Sequence, residues 1–162
     1  MNAGAAAAHG DAIVFVHADT MMPPGFADDI AAALTDSAVG GGRFDLKFDD
    51  ASFKFRMLAA SINLRSRLMR SATGDQAMFA RREVFERLGG FPEIELCEDV
   101  EFARRLKRDH RVAALHAKVM TSARRWRQTG FVRTILRMWL IKSLFLAGVS
   151  PAWLRRHYAD AR

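Results

Sequence analysis

Four short polar segments of the 162-residue chain carry residue types that could do chemistry. The first places His17 and Asp19 two residues apart, and both side chains are competent ligands for Mg²⁺ or Mn²⁺. The second ends in adjacent carboxylates, Glu98 and Asp99, at the predicted start of a helix, whose dipole favours the ionised form that a general base needs. Purely structural roles remain the alternative: Asp19 would cap a turn, and the carboxylate pair would cap the helix.

The other two segments suit binding rather than proton transfer. Residues 73–76 read Thr-Gly-Asp-Gln, and the glycine before Asp75 would let the backbone approach a ligand closely. Residues 122–128 contain Arg124, Arg125 and Trp126, which could clamp a diphosphate and stack on a ring. The alternative for residues 73–76 is a simple loop. The alternative for residues 122–128 is a basic interface with lipid or nucleic acid.

The first polar segment directly follows an apolar run. Residues 12–16 read Ala-Ile-Val-Phe-Val, which predicts a strand buried on both faces, as in parallel sheets. Its carboxyl end leads into His17, at the edge where open α/β sheets bind ligands. A second strand at 43–48 alternates apolar and charged residues, which predicts one face in water. Periodicity and turn residues predict further strands at 77–80, 111–115 and 118–121, and helices at 26–34, 52–70, 81–88, 99–108, 131–146 and 151–158.

The amino-acid composition limits which classes of protein the chain can belong to. The chain is 50% hydrophobic, which is enough to bury a core and argues against disorder. A single cysteine excludes an intramolecular disulfide and a cysteine zinc cluster. Residues 65–162 hold 21 of the 25 Lys and Arg but only 10 of the 18 Asp and Glu, which points to an anionic partner or to a solvated basic surface. With no signal-peptide or membrane-spanning pattern, we expect a cytoplasmic or peripheral membrane protein.

In order and spacing, the segments resemble family 2 glycosyltransferases of the inverting GT-A type. MNAGAAAAHGDAIVFVHADTMMPPG resembles the family's Asn-x-Gly helix and the strand bearing its DxD motif. TGDQAMFARREVFERLGGFPEIELCEDVEFARRLKR resembles its acceptor-side segment, which ends in the ED pair. HADT and TSARRW point to a bacterial subgroup of small transferases, and the resemblance covers essentially the whole chain.

This resemblance implies a GT-A-like α/β fold, with a mostly parallel sheet flanked by helices. It implies a single domain over residues 1–162, of which 131–162 would be a C-terminal helical segment. Family members begin several tens of residues earlier, with a strand, a helix and a strand that bind the nucleoside base. We therefore expect an N-terminally truncated chain that lacks the first strands of the nucleotide-binding half.

It also implies residue roles. Asp99 would be the catalytic base, with Glu98 as the second candidate. Asp19 would bind Mg²⁺ or Mn²⁺, and His17, which replaces the first carboxylate of the DxD motif, would serve as a ligand or a ribose contact. The implied donor-binding residues are Asn2, Gly4, His17, Asp75, Arg124, Arg125 and Trp126.

The implied activity is transfer of a hexosyl or related group from a nucleotide-sugar to a carbohydrate or lipid-linked acceptor, with inversion. The alternatives are an inactive remnant, or a basic module that binds anionic lipid or nucleic acid. Nucleic acid is not expected, because the sequence has no RNP aromatics or zinc finger. Residues 131–157 combine Trp139 and Trp153 with basic side chains, which predicts contact with the inner face of the cytoplasmic membrane; packing against the domain is the alternative.

Overall fold

Five strands form one sheet in the computed structural model, which describes residues 1–158. Its order is β1-β4-β3-β5-β2, so β3 is central and β1 and β2 lie at the edges. The strands are β1 (Ala12–Phe15), β2 (Thr20–Met21), β3 (Val39–Phe48), β4 (Met78–Arg81) and β5 (Arg111–Thr121). The helices are α1 (Asn2–Ala7), α2 (Phe26–Ala33), α3 (Phe53–Leu68), α4 (Arg82–Arg87), α5 (Glu98–Asp109), α6 (Arg124–Thr129), α7 (Phe131–Leu146) and α8 (Pro151–Tyr158).

The sheet confirms an α/β class, but the expectation of a mostly parallel sheet is wrong. Only β3 and β5 pair in parallel, whereas β1–β4, β3–β4 and β2–β5 are antiparallel. Strand β4 accounts for two of the three antiparallel pairs, because it inserts between β1 and β3 and runs opposite to both. An apolar run shows that a strand is covered on both faces, but it does not show the direction of its partners.

Strand β1 is covered on both faces, as its sequence predicts. Ile13 and Phe15 pack into one core cluster with Phe85, while Ala12 and Val14 pack against the other, on the opposite side of the sheet. Since β1 pairs only with β4, one of its edges is free of strand partners among the described residues. The polar residues after Phe15 therefore lie at the rim of the sheet.

The expectation that β3 has one face in water is wrong. Arg43 and Asp45 are 1% and 6% exposed, and Asp45 Oδ1 accepts a hydrogen bond from Arg43 Nη1 at 2.7 Å. Helix α3 supplies polar partners to this pair: its Arg67 donates from Nη2 to Asp45 Oδ2 at 2.8 Å, and Asn63 O accepts from Arg43 Nη2 at 3.3 Å. Alternation in the sequence identifies the two faces of a strand but not which element covers them.

The helices are where the periodicity predicts them, within one or two residues at each end. Other details differ: β5 is one irregular strand rather than two, β3 begins at Val39 rather than at residue 43, and β2 and α6 have no counterpart among the predicted elements. The helical segment expected at 131–162 contains α7 and α8, and residues 159–162 lie outside the described part. Within residues 1–158, no helix is both long enough and apolar enough to cross a bilayer.

Candidate active site

The turn at Gly74 brings two distant polar segments together. The backbone N–H of Gly74 donates a hydrogen bond to Asp99 Oδ2 at 2.7 Å. A Cβ on Gly74 would collide with the imidazole of His17 and would lie 3.6 Å from the same Asp99 oxygen. The absence of a side chain at Gly74 therefore allows this close approach of the His17 ring, and the His17 ring, the Gly74 backbone and the Asp99 carboxylate form one cluster.

Asp75 belongs to the same turn, and hydrogen bonds fix its position. Thr73 Oγ1 donates to Asp75 Oδ1 at 2.5 Å and lies 3.1 Å from Gln76 Oε1, which also accepts from Ser66 Oγ at 3.0 Å. Gln76 is fully buried, so the turn is anchored to α3 rather than loosely exposed. This anchoring holds Gly74 and Asp75 against Asp99.

Burial raises the pKa of Asp99 above the ordinary value for an aspartate. The N–H groups of Gly74 and Val100 oppose this by favouring the carboxylate, whereas the negative charges of Asp75 and Glu98 raise the pKa further. A raised pKa makes the ionised carboxylate a stronger proton acceptor. Such a group suits general base chemistry, which works best when the pKa approaches the working pH.

Lys142 of α7 also reaches this region, which the motif analysis did not predict. Its Nζ is buried without a hydrogen-bond partner, and burial lowers the pKa of the ammonium. The charge of Arg65 lowers that pKa too, while Asp99, Asp75 and Cys97 favour the charged form. The sequence contained one indication of this position, because at 100° per residue Lys142 lies on the opposite side of α7 from the exposed Arg133.

The thiol of Cys97 lies beside the same carboxylates. Burial, followed by the charges of Asp99 and Glu98, raises the pKa of Cys97 to about 11, and Lys142 opposes this only in part. A thiol with this pKa is almost entirely protonated near neutral pH. Cys97 is therefore a poor nucleophile in the folded protein.

Alkylation of Cys97 by iodoacetamide at pH 8 should be roughly 200-fold slower than that of a free cysteine of pKa about 8.5, because so little thiolate is present. The chain has one cysteine, so mass spectrometry of the intact protein reports this site alone. The labelling rate should keep rising beyond pH 10, and urea-unfolded protein serves as the fast control. Equal rates for folded and unfolded protein at pH 8 would contradict the raised pKa.

His17 and Asp19 lie on a tight turn beyond β1, in which Thr20 N donates to His17 O at 3.0 Å. Both side chains are exposed. Within residues 1–158, no three His, Cys, Asp or Glu side chains are grouped closely enough to hold a metal ion. Mg²⁺ commonly binds through one or two carboxylates together with substrate phosphates. The turn therefore fits a cation shared with a substrate better than a closed protein cage.

Asn2 and Gly4 lie on α1. Asn2 Nδ2 donates to Phe91 O at 2.8 Å, and Phe91 N donates to Asn2 Oδ1 at 3.0 Å. This pair of bonds ties α1 to the loop that follows Gly90, whose left-handed φ of 66° brings its backbone against Asn2. Both polar groups of Asn2 are thus engaged in holding the protein backbone, while Gly4 is exposed.

The basic segment divides into exposed and buried parts. Arg124 and Arg125 are exposed on α6, whereas Trp126 is 9% exposed and packs its ring 5.8 Å from Phe48 and 6.0 Å from Phe131, between centroids. Helix α6 is anchored to the loop after β3, where Ala123 N donates to an Asp49 carboxylate oxygen at 2.8 Å. The segment therefore offers two arginines to an anion, and the tryptophan ring belongs to the core.

No protein-family model matches the chain, and no curated protein is significantly similar to it. A functional assignment therefore depends on the chain's own residues and their geometry. Three of the four polar segments meet around Gly74, contributing His17, Asp75 and Asp99. The fourth segment is anchored separately, on α6.

Proposed function

We propose that the chain is an inverting glycosyltransferase that takes its sugar from a nucleotide-sugar donor. The observation that carries the proposal is the contact of His17 and Asp99 with Gly74, beyond the carboxyl end of β1. The segments that resemble the family's donor-side and acceptor-side motifs are far apart in the sequence, and their meeting supports the proposal. The order and spacing of the motifs support the same activity.

Asp99 acts as the base in this proposal. An acceptor hydroxyl transfers its proton to the Asp99 carboxylate while its oxygen forms a bond to the anomeric carbon. The bond from that carbon to the diphosphate oxygen breaks in the same displacement, so the configuration inverts. Burial of Asp99 supports the role because the raised pKa increases the basicity of the carboxylate.

Asp19 and His17 would hold Mg²⁺ or Mn²⁺ together with the donor diphosphate. When bound, the cation would stabilise the negative charge that develops on the leaving diphosphate. Arg124 and Arg125 are exposed and follow Thr121, which pairs in the sheet with Thr20 next to Asp19, so they could reach the same phosphates through the bidentate geometry of arginine. A hexosyl or related group and a carbohydrate or lipid-linked acceptor complete the proposal.

Substituting Asp19→Asn should weaken binding of UDP or GDP in the presence of Mg²⁺ at least tenfold, because one charged ligand of the shared cation is lost. Isothermal titration calorimetry of the intact chain, with and without EDTA, measures this directly. Asp28→Asn, which changes an exposed carboxylate on α2, is the matched control and should leave binding unchanged.

Two outcomes would count against the proposal in different ways. If neither nucleotide binds in the presence of Mg²⁺ or Mn²⁺, the nucleotide-sugar assignment is wrong. If binding occurs but is insensitive to EDTA and to Asp19→Asn, the donor assignment stands and the metal assignment to Asp19 fails.

A further inference from the structure

Helix α3 presents a stripe of large apolar side chains to solvent. Four residues form it and are 54–75% exposed: Phe53, Met57, Leu64 and Leu68. At 100° per residue these positions fall within about 60° of the helix circumference. Since the opposite side of α3 packs on the sheet, nothing in the described residues covers this outer stripe of α3.

Helix α7 presents a comparable stripe. Val132, Leu136, Trp139 and Leu140 are each 59–64% exposed, and Leu146 at the end of the helix is 55% exposed. Isolated exposed apolar residues are common on soluble proteins, but contiguous stripes usually mark an interaction surface. These residues form the outer stripe of α7.

The two helices run side by side in the same direction. Near their starts, the rings of Phe55 and Phe131 lie 5.3 Å apart between centroids. Ten or eleven residues further along, Arg65 is close enough to Lys142 to lower its pKa. Because the two contacts are separated by ten residues on α3 and eleven on α7, the helices run in the same direction.

The outer stripes face the same side of the molecule. Viewed along the helix axes, the stripe of α3 lies about 130° from the direction of its contacts with α7, and that of α7 about 110° from the direction of its contacts with α3, on the mirror-image side. Both therefore point away from the sheet. Together they place nine large apolar side chains on that side of the molecule, a concentration that usually marks an interaction surface.

The charged residues of the helices that carry this surface are of one sign. Helices α3, α7 and α8 contain nine Lys and Arg and no Asp or Glu. Five of these basic side chains are exposed, namely Lys54, Arg56, Arg133, Arg155 and Arg156. Apposing two copies of such a face would bring like charges together, whereas an anionic lipid surface complements it.

A basic cavity lies where α3 ends. It has a volume of about 470 Å³ and is lined by Met69, Arg70, Arg104, Lys107 and Arg108. Arg70 has a left-handed φ of 49°, a conformation that usually falls to glycine. The cavity begins immediately after Leu68, so a phosphate group held by these arginines would sit at the edge of the apolar surface.

We propose that the outer stripes of α3 and α7 dock the protein on an anionic lipid bilayer. The apolar side chains enter the boundary between headgroups and acyl chains, and the flanking Lys and Arg side chains extend to the phosphates. Trp139 and the 48% exposed Trp153 of α8 suit that boundary because indole is apolar with one polar N–H. This inference is independent of glycosyl transfer.

Sedimentation of the full chain with vesicles tests the docking surface. We expect binding to phosphatidylcholine vesicles containing 30% phosphatidylglycerol at low salt, and at least tenfold weaker binding to pure phosphatidylcholine. The double variant Leu64→Glu/Leu136→Glu should lower binding to the anionic vesicles at least tenfold. Met21→Glu, which changes a 64% exposed residue on β2, is the matched control and should bind normally.

Circular dichroism melting should show that both variants remain folded, because the substituted side chains are exposed. Absence of binding to anionic vesicles at low salt would overturn the inference, as would undiminished binding of the double variant. Light scattering supplies a further contrary outcome: a dimer that becomes monomeric in the double variant, with no vesicle binding, would make this face a self-association surface instead.

Discussion

The substitution Asp99→Asn should lower the turnover of glycosyl transfer by roughly 10²–10⁴-fold, the usual contribution of a general base, and should leave donor binding nearly intact. The amide oxygen can still accept the hydrogen bond from Gly74 N, which Asp99 Oδ2 accepts at 2.7 Å, although the bond from Val100 N to Oδ1 at 2.7 Å loses its acceptor. The capacity to take the acceptor's proton is lost, and this loss should dominate the effect on turnover. Steady-state kinetics at saturating donor, together with calorimetry of UDP or GDP binding, separate the two effects.

The pH profile provides a second measurement with a defined sign. Because burial raises the pKa of Asp99, the acidic limb of kcat/KM should lie above the pH of about 4 at which an ordinary aspartate titrates. The negative charge of Glu98 contributes to the raised pKa. Glu98→Gln should therefore keep most of the turnover and move the acidic limb to lower pH.

A different effect of these substitutions on nucleotide binding and turnover would change which residue is assigned as the base. If Asp99→Asn abolishes nucleotide binding while turnover at saturation is kept, Asp99 is a binding residue and Glu98 becomes the candidate base. Should Glu98→Gln move the acidic limb upward, the electrostatic account of this cluster is wrong.

Sequence reasoning identified the components of this cluster but not their contacts. Residue types and helix position singled out His17, Asp75 and Asp99, because each type has a known chemical capacity. The contact at Gly74 depends on how the chain folds over a separation of 25 residues from Asp99, which no local pattern specifies. In the sequence, Lys142 was visible only as a basic residue on the side of α7 opposite Arg133.

Local sequence patterns also predicted the elements of the fold but not their arrangement. Periodicity located α3 and β3 because it reflects which side chains are buried along each element. It did not reveal that β4 would separate β1 from β3, nor that Arg67 of α3 would pair with Asp45 of β3. The pairing direction of the strands and the covering of their faces are decided by tertiary packing. Of the features that this packing creates, the burial of Arg43 and Asp45 has the largest consequence for stability.

We expect Asp45→Asn to reduce the free energy of unfolding by about 3–5 kcal/mol, the usual cost of breaking a buried ion pair from one side. Arg43 is 1% exposed, and burial lowers its pKa, although Asp45 favours the charged guanidinium. Without the carboxylate, that charge stays in the interior with only carbonyl partners, such as Phe44 O at 3.1 Å. Urea unfolding followed by circular dichroism measures the loss.

Asp109→Asn is the matched control, because the ion pair of Asp109 with Arg108 is exposed and solvent screens it. That variant should unfold at the same urea concentration as the unsubstituted protein. A loss of stability as large as that of Asp45→Asn would show that burial is not the cause. An unchanged midpoint for Asp45→Asn would contradict the buried network itself.

Acid unfolding should distinguish the charge of Asp45 from its packing. Burial raises the pKa of Asp45, but the hydrogen bonds from Arg67 and Arg43 outweigh burial and leave it below the ordinary value. A carboxyl group whose pKa is lower in the folded state stabilises the fold above its unfolded pKa of about 3.9, and this stabilisation is lost as the pH falls through the folded value. The difference in unfolding free energy between the unsubstituted protein and Asp45→Asn should thus be constant near neutral pH and shrink below about pH 4. A difference that persists undiminished at pH 2 would assign the effect to packing rather than to the carboxylate charge.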